Sequence, residues 1–204
     1  MSGIKSDNAD TDYAGVFFDI VTGGPVKTIQ WIGHYASGLP ADDFTIQLTT
    51  VTGSNIQSNT NPSTTSTIFN YNIGSDAGTS LDSRVATGSQ VGGQNQYLYT
   101  ATLPGTDMVS GGMSYMISIY NNTTIPTSWF WDESSSMVNG FYEKTVSIAQ
   151  PQWQINPGGE GQQLVFSLDT EGASGPVVPE PSSFILLGTA IVGALAYRRR
   201  RKVA

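Results

Sequence analysis

The 204-residue sequence predicts an all-β domain, an antiparallel two-sheet β-sandwich or jelly roll, followed by a short C-terminal membrane helix. Three observations carry this expectation. Apolar and polar residues alternate with period two in many short segments, which puts one face of each inward. Gly, Pro, Asn and Asp punctuate the chain between those segments. No stretch before Pro179 shows a useful helical period, whereas Phe184–Tyr197 is one apolar run.

The strands follow in chain order. Gly15–Val21 and Val26–Tyr35 come first, the latter with Trp31 and Tyr35 on one parity and Trp31 expected in the core. Asp43–Thr49 alternates Phe44, Ile46 and Leu48 against Thr45, Gln47 and Thr49. Thr67–Ile73 is next, and Tyr97–Leu103 lays Tyr97, Tyr99, Ala101 and Leu103 on one side. Met113–Tyr120 directs Tyr115, Ile117 and Ile119 inward. Thr127–Trp131, Tyr142–Ile148 and Gln152–Ile155 precede a last alternation of Leu164, Phe166 and Leu168. Strands that each contribute half their residues to one core suit two sheets packed face to face.

Between them, Ser54–Ser66 and Gly74–Gly93 are polar and Gly/Ser-rich, with too little apolar area to offset their ordering entropy, and are expected as loops. Gly158–Gly161 reads as a turn, and no internal repeat is visible. The expected organisation is a polar N-terminal segment at 1–12, the sandwich at 13–171, a linker at 172–178 and a terminal segment at 179–204.

Charge narrows the functions available. Five of the nine cations lie in Arg198–Lys202, leaving Lys5, Lys27, Arg84 and Lys144 against fifteen carboxylates upstream of Pro179, a net of about −11. Nucleic acid, which needs basic patches, is excluded as a partner. The chain has no cysteine, so disulfides, thiol nucleophiles and thiolate metal sites are absent.

No enzyme is expected. His34 is the sole histidine, so no site with two or three histidine ligands can be built, and a Ser-His-Asp triad would have to use it. The plainer reading is a partly exposed residue on an aromatic strand. The carboxylates Asp42, Asp43, Asp132 and Glu133 lie beside aromatics, but adjacent strand residues point to opposite faces. They read as strand-end and turn carboxylates. No cofactor is expected apart from calcium, for which Asp7, Asp10 and Asp12 are the candidate ligands; a solvated acidic terminus is the alternative. Trp129 and Trp131 share one parity of a strand. Exposed, they would form a stacking platform for sugar rings; inward, they would be core.

The terminal segment is the most specific feature. Phe184–Tyr197 spans fourteen residues, about 21 Å as a helix, against the roughly 30 Å of a bilayer core, and is a marginal span. Phe184, Ile185, Leu186, Leu187, Ile191, Val192, Leu195 and Tyr197 form its apolar surface, and Arg198, Arg199, Arg200, Arg201 and Lys202 form a basic stop. Basic residues stay cytoplasmic, which sets the body on the far side of the inner membrane.

Pro179-Glu180-Pro181, the glycine-interrupted apolar stretch and the arginine-rich end together resemble the PEP-CTERM protein-sorting domain of Gram-negative bacteria that make exopolysaccharide. The resemblance implies export, a precursor in the inner membrane, and recognition of Pro179, Glu180 and Pro181 by an exosortase-type processing enzyme, with delivery to the cell surface or beyond. Exopolysaccharide is then a candidate partner. Met1–Asp12 lacks an apolar core, so the signal peptide of such a precursor is expected upstream of Met1. The body, through Trp31–Tyr35, Ala41–Ile46, Tyr115–Asn121 and Trp129–Trp131, also resembles an extracellular domain that often precedes this tail. The expected function is a non-catalytic envelope or matrix protein. An envelope glycoside hydrolase or a calcium-dependent adhesion module is the alternative.

Overall fold

The computed structural model describes residues 3–8, 12–52, 63–123, 127–134, 141–145, 154–155 and 163–170. These form fourteen strands in two antiparallel sheets, with no helix among the described residues long and apolar enough to cross a membrane. The terminal segment at 179–204, the linker at 172–178 and the turn at 158–161 lie outside the described residues.

The first sheet is built on β3 (Gly24–Tyr35), flanked on one side by β7 (Gln94–Thr102) and then β6 (Ser80–Val91), and on the other by β10 (Trp129–Ser134) and β1 (Gly3–Lys5). The short strands β8 (Met108–Val109) and β14 (Phe166–Thr170) also pair with β3, and β13 (Gln163–Leu164) pairs with β10. The second sheet runs β12 (Gln154–Ile155), β11 (Phe141–Thr145), β2 (Asp12–Ile20), β9 (Met113–Asn121), β4 (Phe44–Thr52) and β5 (Ser63–Asn72).

The period-two pattern selects the buried face as expected. Phe44, Ile46 and Leu48 from β4, and Tyr115, Ile117 and Ile119 from β9, enter one core with Val26, Ile29 and Trp31 of β3. Phe44 ties the sheets together, its ring 5.2 Å from Trp31, 5.0 Å from Tyr99 and 5.1 Å from Trp129. These are edge-on contacts, the geometry that aromatic quadrupoles favour. Gly33 makes room for the packing, because a Cβ there would stand 2.4 Å from Cζ2 of Trp129. A smaller cluster of Phe17, Val51 and Met116 forms apart from the main core.

Two sequence expectations fail here. Gly74–Gly93 is not one long loop: β6 occupies Ser80–Val91 and pairs with β7 along most of its length. It is an edge strand, mostly exposed, so it carries no inward apolar alternation to read. Similarly, Ser63–Ser66 belongs to β5 and pairs with Thr50–Thr52 of β4. The other failure is the N-terminal segment, which is part of the sandwich. Gly3, Ile4 and Lys5 pair with Asp132, Trp131 and Phe130, extending the first sheet past β10.

Beyond β1 the segment stitches the two sheets. Ser6 N donates to Trp129 O in the first sheet at 3.1 Å, while Asn121 N in the second donates to Ser6 O at 3.0 Å. The Ser6 hydroxyl donates to Ile119 O at 2.5 Å and accepts from Ala14 N at 3.0 Å. A buried polar residue in a sheet seam is tolerated only with such partners.

Candidate functional site

The residues with most chemical capacity gather on one face of the first sheet. Pairing sets Phe130 of β10 opposite His34 of β3, and the β3–β7 register sets His34 beside Gln96. These residues have the opposite parity to Trp129, Trp131, Tyr35 and Tyr99, so they point away from the inter-sheet core. The imidazole lies flat on the Phe130 ring, with centroids 5.2 Å apart and an 11° interplanar angle.

Asp132 sits diagonally across and organises the group. Its Oδ1 is 2.5 Å from Nδ1 of His34, and its Oδ2 accepts from Nε2 of Gln96 at 2.9 Å. Thr87 of β6 in turn donates to Oε1 of Gln96 at 3.0 Å. Asp132 is fully buried, with His34 and Gln96 nearly so. Gly3 closes the site from β1: a Cβ there would meet Asp132 Oδ1 at 2.8 Å and His34 Cε1 at 2.9 Å. The dyad has the base and the orienting carboxylate of a nucleophilic triad. Among the described residues, no hydroxyl bonds to the other ring nitrogen of His34.

This overturns two readings. His34 is buried rather than partly exposed, because its ring is stacked and its nitrogen is held. Asp132 is a buried acceptor inside the sheet rather than a strand-end carboxylate. Nothing local in the sequence singles out Gln96. Its parity opposite Tyr97 and Tyr99 was legible, but its neighbour was a matter of register.

A second polar cluster surrounds Asp42 at the end of β3. Tyr35 donates to Asp42 Oδ1 at 2.9 Å, and Arg84 Nη1 lies 2.7 Å from Oδ2. Burial raises the Asp42 carboxyl above its ordinary value, although the Tyr35 hydrogen bond and the Arg84 charge oppose it. Burial, with the Asp42 charge behind it, also raises the Tyr35 hydroxyl far beyond the tyrosine range. Arg84 additionally lies over the Tyr97 ring at 5.6 Å.

Trp129 and Trp131 do not form a sugar-stacking platform. Both are 0% exposed, as is Trp31. They face the core because their parity is the inward one in β10, and Trp131 Nε1 donates to Val165 O at 2.9 Å. Of the three calcium candidates, only the Asp7 side chain falls among the described residues. Asp7 is buried and accepts from Trp129 N at 3.1 Å, Asp10 lies outside the described residues, and nothing is described of the Asp12 side chain. No group of three histidine or acidic side chains able to hold a metal occurs among the described residues.

Pro179, Glu180, Pro181, the apolar run from Phe184 to Tyr197 and the basic stop from Arg198 to Lys202 fall outside the described residues, so their evidence is the sequence itself. No curated protein and no solved structure matches the chain. The tail does match a known signal, one recognised by exosortase in membrane-anchored precursors processed for export. Over residues 177–201 the chain carries the PEP-CTERM protein-sorting motif.

Proposed function

We propose that this protein is a non-catalytic component of the cell envelope or extracellular matrix. A precursor is held in the inner membrane by Phe184–Tyr197, with Arg198–Lys202 on the cytoplasmic side and the sandwich on the periplasmic side. An exosortase-type enzyme acts near Pro179-Glu180-Pro181 and frees the body for the surface or the medium. The observation that carries this reading is the sorting motif at residues 177–201.

The body supports a structural role. Its strongest polar constellation, His34, Asp132 and Gln96, is bonded within itself, and Trp31, Trp129 and Trp131 are core. We assign exopolysaccharide as the matrix partner from the bacteria in which such tails occur. With Trp129 and Trp131 buried, that contact would fall to the polar outer surface, which includes the exposed edge strand β6.

Fractionation of cells making an epitope-labelled copy tests the sorting step. The expected product is extracellular or surface-bound and ends near Pro179, whereas a Pro179→Ala/Glu180→Ala variant accumulates uncut in the membrane fraction. Full-length protein found soluble with cytosolic markers would overturn the reading.

A further inference from the structure

Among the described residues, the end of the last strand lies beside a group of exposed apolar side chains. β14 finishes at Thr170, paired with Val26 near the start of β3. On the other flank of that stretch, Gly24 and Pro25 pair with Val109 and Met108, and Val26 N donates to Asp107 O. Two turns meet beside them. Gly112 N donates to Ile20 O at 2.7 Å, and a Cβ on Gly111 would stand 2.5 Å from Val21 O.

Large exposed hydrophobic side chains are few among the described residues, and three of the five are here. Val21 is 89% exposed, Met108 60% and Met113 41%. Single exposed hydrophobics need no explanation, but a cluster at one tip marks a contact surface. Leu39, 50% exposed, follows the other end of β3, a strand about 36 Å long.

What covers the tip follows from the chain beyond Thr170. Residues 171–183 reach at most about 45 Å before the apolar run begins. The tip is therefore the part of the body tethered nearest to wherever that run inserts. We propose that Val21, Met108 and Met113 rest in the interfacial layer of the membrane that holds the tail, so that the precursor stands on this end. The proposal rests on the reading of Phe184–Tyr197 as a membrane anchor.

The energetics make the contact conditional on the tether. Each side chain gains about 25 cal/mol per Å² of apolar area it buries, so three at a tip bind a free membrane only weakly. Tethering raises their effective concentration to the order of millimolar, which makes a weak contact sufficient. Electrostatics do not help, because Asp19, Asp107 and Asp169 outnumber Lys27 at this end. Contact should thus persist on uncharged, zwitterionic lipid.

The absence of cysteine allows single-cysteine labels on the full chain. Val21→Cys, Met108→Cys and Met113→Cys report the tip, Leu39→Cys the opposite end and Leu187→Cys the anchor. Each carries an environment-sensitive fluorophore and is reconstituted into phosphatidylethanolamine vesicles containing a nitroxide-lipid quencher. Loss of fluorescence at the three tip labels and at Leu187, but not at Leu39, is the expected result. Quenching at Leu187 with the tip labels no different from Leu39 would overturn the docking while sparing the anchor. No quenching at Leu187 would remove the anchor and the docking together. Shielding of the tip only after the processing enzyme is added would give this surface to that enzyme and overturn the lipid contact.

Discussion

Nδ1 of His34 and Oδ1 of Asp132 stand 2.5 Å apart on neighbouring strands, 98 residues apart in sequence, and both side chains are buried. The carboxylate is shared with Gln96, so three strands meet at one group. Removing one partner from such a pair leaves the other buried and unsatisfied, which is the costly case. Asp132→Ala should lower stability by about 3 kcal/mol. Urea unfolding of the variant against wild type measures this, and a loss within error would show that water compensates freely.

Gly3 is the third wall of that site. Its missing side chain leaves the space that Asp132 and His34 occupy, so Gly3→Ala must push the first strand off β10 or displace the dyad. Overpacking of this kind costs about 1–3 kcal/mol. The same substitution on a frayed terminus would be silent. A measured change in Tm therefore reports whether the N-terminal segment is docked in solution.

Ser6 tests the seam independently. Its hydroxyl serves Ile119 O and Ala14 N, one as donor and one as acceptor. Ser6→Ala leaves two buried backbone groups without that partner, at a cost of about 1–3 kcal/mol. Hydrogen exchange should then quicken at Ala14 more than at Ile29, which lies in the main core away from the seam.

Two tyrosines make a contrast that burial alone would not predict. Tyr35 donates its hydroxyl to Asp42, whereas the buried hydroxyl of Tyr99 has no hydrogen-bond partner. Tyr99 is pushed above the tyrosine range, first by burial and then by the Asp42 charge, against the opposing influence of the Trp129 indole and the Arg84 charge. Tyr35→Phe should cost about 1 kcal/mol, while Tyr99→Phe should be neutral or stabilising, since it removes an unsatisfied group. Equal losses from the two variants would mean that an ordered water completes the Tyr99 bond.

These sites show what a single sequence makes legible. Inward faces were readable because parity is local: Phe44, Ile46 and Leu48 announce the core whatever strand lies beside them. Register is a property of two strands, so no pattern around His34 pointed to Gln96 or to Asp132. Short or exposed strands lack even the parity signal. Gly3–Lys5 holds only three residues, and β6 owes its place to backbone pairing with β7. By contrast the sorting motif is written in contiguous residues, and its recognition needs no fold.

The acid limb of stability should carry opposing contributions from two carboxylates. Asp42, raised by burial above its ordinary value of 3.8, holds its proton more tightly folded than unfolded. Its contribution is present below the ordinary value and is lost as pH rises through the higher folded value. Asp82 behaves in the reverse sense. Hydrogen bonds from Ser80 and Thr102 lower its pKa, so its contribution is present above the ordinary value and lost as pH falls through the lower folded one. Asp42→Asn cannot titrate, so its stability relative to wild type should improve from about pH 3 to about pH 6. Asp82→Asn should decline relative to wild type on moving in the same direction, and by less, because its site is open to solvent screening. Paired urea titrations across that range measure both slopes. Parallel slopes of one sign would mean that the Arg84 charge, rather than burial, governs Asp42.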